Sequence, residues 1–271
     1  MLNLMLITGD PEVARYAFDS GIGTIFVDLE RLGKAERQGG RDTVMNSHTL
    51  ADAAAVRAAA PRAQLLVRLD PPHEGTSVQA REALDAGADL LMLPMWRAAS
   101  DVASLGEAIG GRPCVVPLAE TSGATRAFGE TASLPCVAEM YVGLNDLHLA
   151  LGMRFMFQPL AEGVVDEAAC ACRAAGRPFG FGGLARLGQG ALDPRLVLAE
   201  HARLGSSRVI LSRAFHGRSV TLEDFRRAGL PRAVREVREV EARMAARSPD
   251  EIERDRLEVA RRVAEIVSAA G

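Results

Sequence analysis

The sequence predicts a single parallel (β/α)8 barrel of the TIM barrel type followed by a helical tail. Three observations lead there. Short apolar runs alternate with amphipathic helical stretches, the pattern of βαβ units around a parallel sheet. Eight such runs can be counted in a chain of 271 residues, a length that suits one barrel plus an extension. The alternation stops after Phe225 and gives way to charged helical sequence. The runs cover residues 2–7, 24–29, 64–69, 89–93, 114–119, 139–143, 178–182 and 208–211. Between them stand helix punctuation marks: Gly9-Asp10-Pro11-Glu12 offers a cap and a first-turn proline, Asp85-Ala86-Gly87 a stop, and Asp193-Pro194 a new start. An open doubly wound sheet alternates in the same way, so the count of eight is what favours closure.

Residues 1–225 are therefore read as the barrel and 226–271 as the tail. In the tail, Val234, Val237, Val240 and Met244 share one helical face. Ser248-Pro249-Asp250-Glu251 reads as a capping box that restarts a second helix, with Ile252, Val259, Val263 and Ile266 as its apolar stripe. Such stripes call for a partner surface. The chain's own barrel is one candidate, and a neighbouring subunit of a homo-oligomer is the other.

Composition narrows the function. A formal net charge of −3 and 4% aromatic residues offer neither a basic field nor stacking platforms, which argues against nucleic acid as a partner. No apolar run is long enough to span a membrane and the amino terminus does not read as a signal peptide, so the expected location is cytoplasmic. Cys114, Cys136, Cys170 and Cys172 lack zinc-ligand spacing and are read as reduced packing residues.

In a barrel of this kind the active site lies at the carboxyl ends of the strands, so polar residues just after each apolar run are the candidates. They are Asp28-Leu29-Glu30-Arg31, Arg68-Leu69-Asp70, Glu120-Thr121 and Gly143-Leu144-Asn145-Asp146. An isolated acid after a strand usually caps a helix, and Asp10 and Asp193 are read that way. Glu120 and Asp146 differ, because adjacent strands bring them to one rim, where two carboxylates repel unless a cation intervenes. Mg²⁺ needs few protein carboxylates and takes water and substrate oxygens for the rest. Arg68 has two readings: an always-charged partner for a substrate oxyanion, or a salt bridge with Asp28 or Glu30.

The motif order is specific. It runs Phe26-Val27-Asp28-Leu29-Glu30, Val67-Arg68, Asp85-Ala86-Gly87-Ala88-Asp89 through Leu93-Pro94-Met95, Leu118-Ala119-Glu120-Thr121, and Gly143-Leu144-Asn145-Asp146-Leu147 through Leu151-Gly152. In this order, over roughly residues 1–216, the chain resembles the family of 4-hydroxy-2-oxoheptanedioate aldolase and the citrate lyase β-subunit. The resemblance implies that Glu120 and Asp146 bind Mg²⁺, Mn²⁺ or another divalent metal. It implies that Arg68 contacts the substrate carbonyl oxygen and that backbone amides around Asn145 and Asp146 receive the substrate carboxylate. It departs at Arg31, where the aldolases carry a nearby His, and at Ser122, where Pro is usual.

Arg31, Lys34, Arg37 and Arg41 are candidates for a second anionic group on the substrate, with a solvated charged loop as the alternative. For the missing base, His48 is the first candidate and His73, in the loop after Arg68, the second; His73 is also a substrate-binding candidate. His148 reads as a helix-surface residue or a support for Asp146. Gly182-Gly183, at the end of the seventh run, permits close backbone approach to a ligand at Gly183 or tight packing, and Arg186 is near enough in sequence to reach the site. The expected activity is a divalent-metal-dependent carbon–carbon lyase or aldolase that handles a small anionic 2-oxo acid through a pyruvate-type enolate. A citrate-lyase-like acyl-CoA lyase and a catalytically silent small-acid-binding barrel are the alternatives.

Overall fold

In the computed structural model, which describes residues 1–33, 48–215 and 221–269, the eight apolar runs become eight parallel strands. They are β1 (Asn3–Ile7), β2 (Thr24–Asp28), β3 (Gln64–Arg68), β4 (Leu90–Leu93), β5 (Val115–Ala119), β6 (Met140–Val142), β7 (Phe179–Leu184) and β8 (Arg208–Leu211). Each pairs with the next, and β1 pairs with β8 to close the barrel. Every residue of β2, β4, β5 and β6 is buried, as expected of strands with side chains on one face inside the barrel and on the other under helices. Lys34, Arg37 and Arg41 lie outside the described residues.

The helices among the described residues are α1 (Pro11–Asp19), α2 (Leu50–Ala59), α3 (Thr76–Asp85), α4 (Ala99–Ala108), α5 (Ser122–Arg126), α6 (Phe128–Ala132) and α7 (Leu144–Ala150). They continue with α8 (Gln158–Ala161), α9 (Val164–Ala174), α10 (Pro194–Leu204), α11 (Leu222–Ala228), α12 (Leu230–Ala245) and α13 (Pro249–Ala269). Asp10 accepts from the Glu12 and Val13 amides, and Asp193 from the Arg195 amide, so both acids cap helices. Gly87 follows α3 at φ 97, the left-handed conformation that ends a helix.

β7 runs two residues past its expected end. Its pairing with β8 is irregular between Gly180 and Gly183, and Gly182 sits at φ 57. The buried Tyr141 hydroxyl repairs the gap: it donates to the Gly182 carbonyl (2.7 Å) and accepts from the Ile210 amide (2.9 Å). At the amino ends of the strands a polar layer closes the barrel floor. Arg208 pairs with Glu139 at 2.7 Å and donates to the Thr24 hydroxyl at 2.8 Å, which in turn donates to Gln64 at 3.1 Å. Burial pushes the Glu139 carboxyl up even though Arg208 opposes the shift. The opposite end, where the strands finish, is left for a mouth.

In the tail, α12 packs on α10, and α13 packs on α10 and α8. Val234, Val237, Val240, Val259 and Val263 are buried there, while Ile252 and Ile266 are only partly covered. Ser248 and Glu251 form the capping box ahead of α13. Arg238 donates to the Leu2 carbonyl (2.6 Å) and Arg247 to the Ala199 carbonyl (3.0 Å), which ties the tail to the residue before β1 and to α10. All four cysteines are free thiols, but Cys170 is exposed, so the packing role expected of it applies only to the other three. Among the described residues, no helix is long and apolar enough to cross a membrane.

Candidate active site

Asp28 ends β2 and Arg68 ends β3, and the two residues are register partners. Directly paired residues of parallel strands present their side chains on one face, so acid and base meet. Arg68 Nε donates to Asp28 Oδ1 and Nη2 to Oδ2, both at 2.8 Å, while Nη2 also lies 3.3 Å from Glu30. Both acids are buried. Phe26, two residues before Asp28 on the same face, puts its ring 5.5 Å below the guanidinium carbon. Burial works against the charge on Arg68. Asp28, Glu30 and Glu120 outweigh it and hold the guanidinium well above its ordinary pKa. Both readings of Arg68 are thus compatible: the salt bridge exists, yet Nη1 has no acceptor among the described residues.

Glu120 follows β5 and is 5% exposed. Its side chain leans on Gly143, the residue that caps α7: a Cβ there would stand 2.6 Å from Glu120 Cγ and 2.7 Å from Oε1. Asp146, half-buried, is in the first turn of α7, and Asn145 beside it is exposed. Sequence reasoning marked Gly143 only as part of a motif. Its physical signal is a glycine just before a helix, opposite an acid on the neighbouring strand end. Among the described residues, no three or more His, Cys, Asp and Glu side chains gather as a metal site. That is no obstacle to Mg²⁺, which uses one or two carboxylates and keeps water. Hard oxygen donors, one of them seated in a cradle that a Cβ would fill, fit such an ion.

The remaining candidates take the following places. The Arg31 and Leu32 amides donate to Asp70 Oδ1 (2.6 and 2.9 Å), Gln79 donates to Asp70 Oδ2 (2.9 Å), and the Arg31 guanidinium donates to the His48 carbonyl (3.3 Å). Asp70 therefore anchors the loop after β2, a role that its position after a strand did not reveal. His48 Nδ1 accepts from the Asp28 amide at 3.1 Å, and the ring packs over Gly9. A neutral His48 so held carries its proton on Nε2 and donates there. His73 is exposed, and its ring faces Pro71 and Thr76 in the turn that begins α3. His148 is buried, with Nδ1 against the Leu144 carbonyl at 3.1 Å. Of the pair Gly182-Gly183, a Cβ on Gly183 would make only an ordinary contact at 3.8 Å, while one on Gly182 would stand 2.9 Å from Leu144 Cδ1, so the tight packing falls on Gly182. Arg186 lies beside Gly229, at the start of α12.

No protein-family model and no curated sequence matches this chain. Solved structures do. The HpcH/HpaI aldolase from Desulfitobacterium hafniense DCB-2 superposes with a TM-score of 0.59 at 14% identity, over 78% of this chain and 86% of that one. The citrate lyase β subunit from M. tuberculosis complexed with oxaloacetate and magnesium gives 0.56 at 22% identity, over 84% and 96%. The citrate synthase SbnG gives 0.62 at 15% identity, over 88% and 94%. The chain has the fold of HpcH/HpaI aldolases and citrate lyase β subunits, the group that its motif order resembles.

Proposed function

We propose that the protein is a divalent-metal-dependent carbon–carbon lyase of the aldolase type, acting on a small 2-oxo acid. The observation that carries this reading is the arrangement around Arg68, whose guanidinium is clamped by Asp28 and Glu30, feels the Glu120 carboxylate, and keeps Nη1 for a ligand. The motifs support it, and so does the solved neighbour that carries oxaloacetate and magnesium.

Glu120 and Asp146 would hold the metal, Mg²⁺ or Mn²⁺. When bound, the ion supplies Lewis acidity toward the oxygens of the 2-oxo acid. Arg68 Nη1 donates to the 2-oxo oxygen. As the C4 hydroxyl gives its proton to solvent and becomes a carbonyl, the bond between C3 and C4 of a 4-hydroxy-2-oxo acid breaks, and its electron pair moves toward the 2-oxo oxygen to leave an enolate that takes a proton back at C3. The donor is already in place, so charge develops without reorganisation. Arg68 stays protonated throughout, so it stabilises and does not transfer the proton. The first-turn amides around Asn145 and Asp146 serve the substrate carboxylate. Arg31, exposed at the loop after β2, suits a second anionic group, as do Lys34 and Arg37 of the same segment.

The test is pyruvate release from 4-hydroxy-2-oxo acids with Mg²⁺ or Mn²⁺, abolished by chelation and restored by added metal. Acetyl-CoA or glyoxylate formed from malyl-type thioesters, with no pyruvate from the free acids, would overturn it in favour of an acyl-CoA lyase. Metal binding without turnover of either class would leave a silent small-acid-binding barrel.

A further inference from the structure

The loop after β4 holds the one non-glycine residue at positive φ among the described residues. Met95 sits at φ 56, a left-handed conformation that non-glycine residues seldom adopt and that persists only where its surroundings enforce it. Trp96 follows, fully buried, and its carbonyl accepts the Thr121 hydroxyl at 2.7 Å. The same hydroxyl accepts the Ala124 amide at 3.0 Å, so Thr121 caps α5 while pinned to the loop. One residue on, the Arg97 carbonyl lies so close to Gly123 that a Cβ there would overlap it. From the other side, the Arg97 and Ala98 amides donate to Asp101 Oδ2 in α4, at 2.8 and 3.1 Å. The loop is thus braced on α4 and pressed onto the turn 121–123.

Glu120 is the residue immediately before that turn. The residues just after it are held against the β4 loop through Thr121 and Gly123, and its side chain lies against Gly143, where a Cβ would overlap it. We propose that the segment 94–98 is the positioning element of the metal site, with Thr121 and Gly123 as positioning residues that fix where the Glu120 carboxylate stands. This rests on Glu120 being a metal ligand. Metal–ligand distances tolerate only about 0.2 Å, so a small slide of the turn reads out as lost affinity. Outer contacts that orient a ligand typically carry 10- to 100-fold in metal affinity. The valine at position 121 in Thr121→Val keeps the shape and branching of threonine but can neither donate to Trp96 nor cap α5.

The experiment is calorimetric titration of Mn²⁺ into the full chain, with circular dichroism of each metal-free variant to confirm the fold. Thr121→Val should weaken Mn²⁺ roughly 10- to 100-fold. Thr121→Ser keeps the hydroxyl and should stay within about threefold of wild type. Gly123→Ala, which displaces the Arg97 carbonyl but leaves Thr121 intact, should weaken Mn²⁺ as well, and it carries the test should Thr121→Val fail to fold. Glu120→Gln separates the two claims. Wild-type affinity in Glu120→Gln overturns the metal site and the positioning claim with it. Lost affinity in Glu120→Gln, beside wild-type affinity in Thr121→Val and Gly123→Ala, overturns positioning alone. Equal losses in Thr121→Ser and Thr121→Val also overturn it, because the hydroxyl would then not carry the effect.

Discussion

Replacing Gly143 by alanine probes the seat of the Glu120 carboxylate with one carbon atom. The backbone at 143 (φ −88, ψ 88) accepts an L side chain without strain, so the effect is steric. The new Cβ would stand 2.6 Å from Glu120 Cγ, where ordinary contact begins at 3.4 Å, and Glu120 must yield by close to 1 Å. That displacement is several times the roughly 0.2 Å within which a metal ligand keeps its place. We expect the Mn²⁺ dissociation constant to rise at least tenfold, about 1.4 kcal/mol. Overpacking should cost about 1–3 kcal/mol of stability. Calorimetry reads the first quantity and urea unfolding the second. A destabilised Gly143→Ala protein with wild-type Mn²⁺ affinity would refute the reasoning, because the clash would have moved Glu120 without disturbing the metal.

Arg68→Lys should lower turnover by about 10²-fold, since an ammonium cannot hold Asp28 bidentately and still present a third nitrogen to substrate; wild-type turnover would leave Arg68 a structural salt bridge. His201 is buried, stacked on Phe181 at 3.9 Å, and burial depresses its pKa to about 3 from 6.5. The unfolded chain takes up that proton below pH 6.5 and the folded chain does not, so stability falls with pH, by about 2 kcal/mol at pH 5. His201→Phe should lose less stability than wild type between pH 7 and 5, measured by urea midpoints; an equal loss would contradict this. Deleting residues 226–271 removes five buried valines and bares the α10 surface they pack on, a burial worth about 8 kcal/mol at ~1.5 per valine, within the range of a domain's whole stability. We expect loss of the cooperative thermal transition by circular dichroism. An intact transition with a smaller particle mass by light scattering would show that the tail serves assembly instead.

The barrel was legible because strands buried on both faces read as continuous apolar runs, and because Asp10, Asp193 and Ser248 announce helix starts that the chain uses. Glycine hid the end of β7: Gly182 and Gly183 look like a turn, and only the distant Tyr141 hydroxyl lets them continue as strand. The pairing of Asp28 with Arg68 was foreseeable as one of two readings, since both end neighbouring strands. What could not be read is contact between loops. Asp70 on the Arg31 amide, Trp96 on Thr121 and Gly143 under Glu120 each join residues from different strand ends, and no local spacing encodes them. The tautomer of His48 is of the same kind, set by the amide of Asp28, twenty residues earlier.

The central claim is that Glu120 and Asp146 hold a divalent ion beside Arg68. Crystals grown with Mn²⁺ and oxalate, a planar mimic of a pyruvate enolate, test it through the anomalous signal of manganese. The account predicts one strong peak with carboxylate oxygens of Glu120 and Asp146 at roughly 2.1 Å, and an oxalate oxygen in reach of Arg68 Nη1. A manganese peak away from these two carboxylates, or oxalate bound in the mouth without metal, would contradict it.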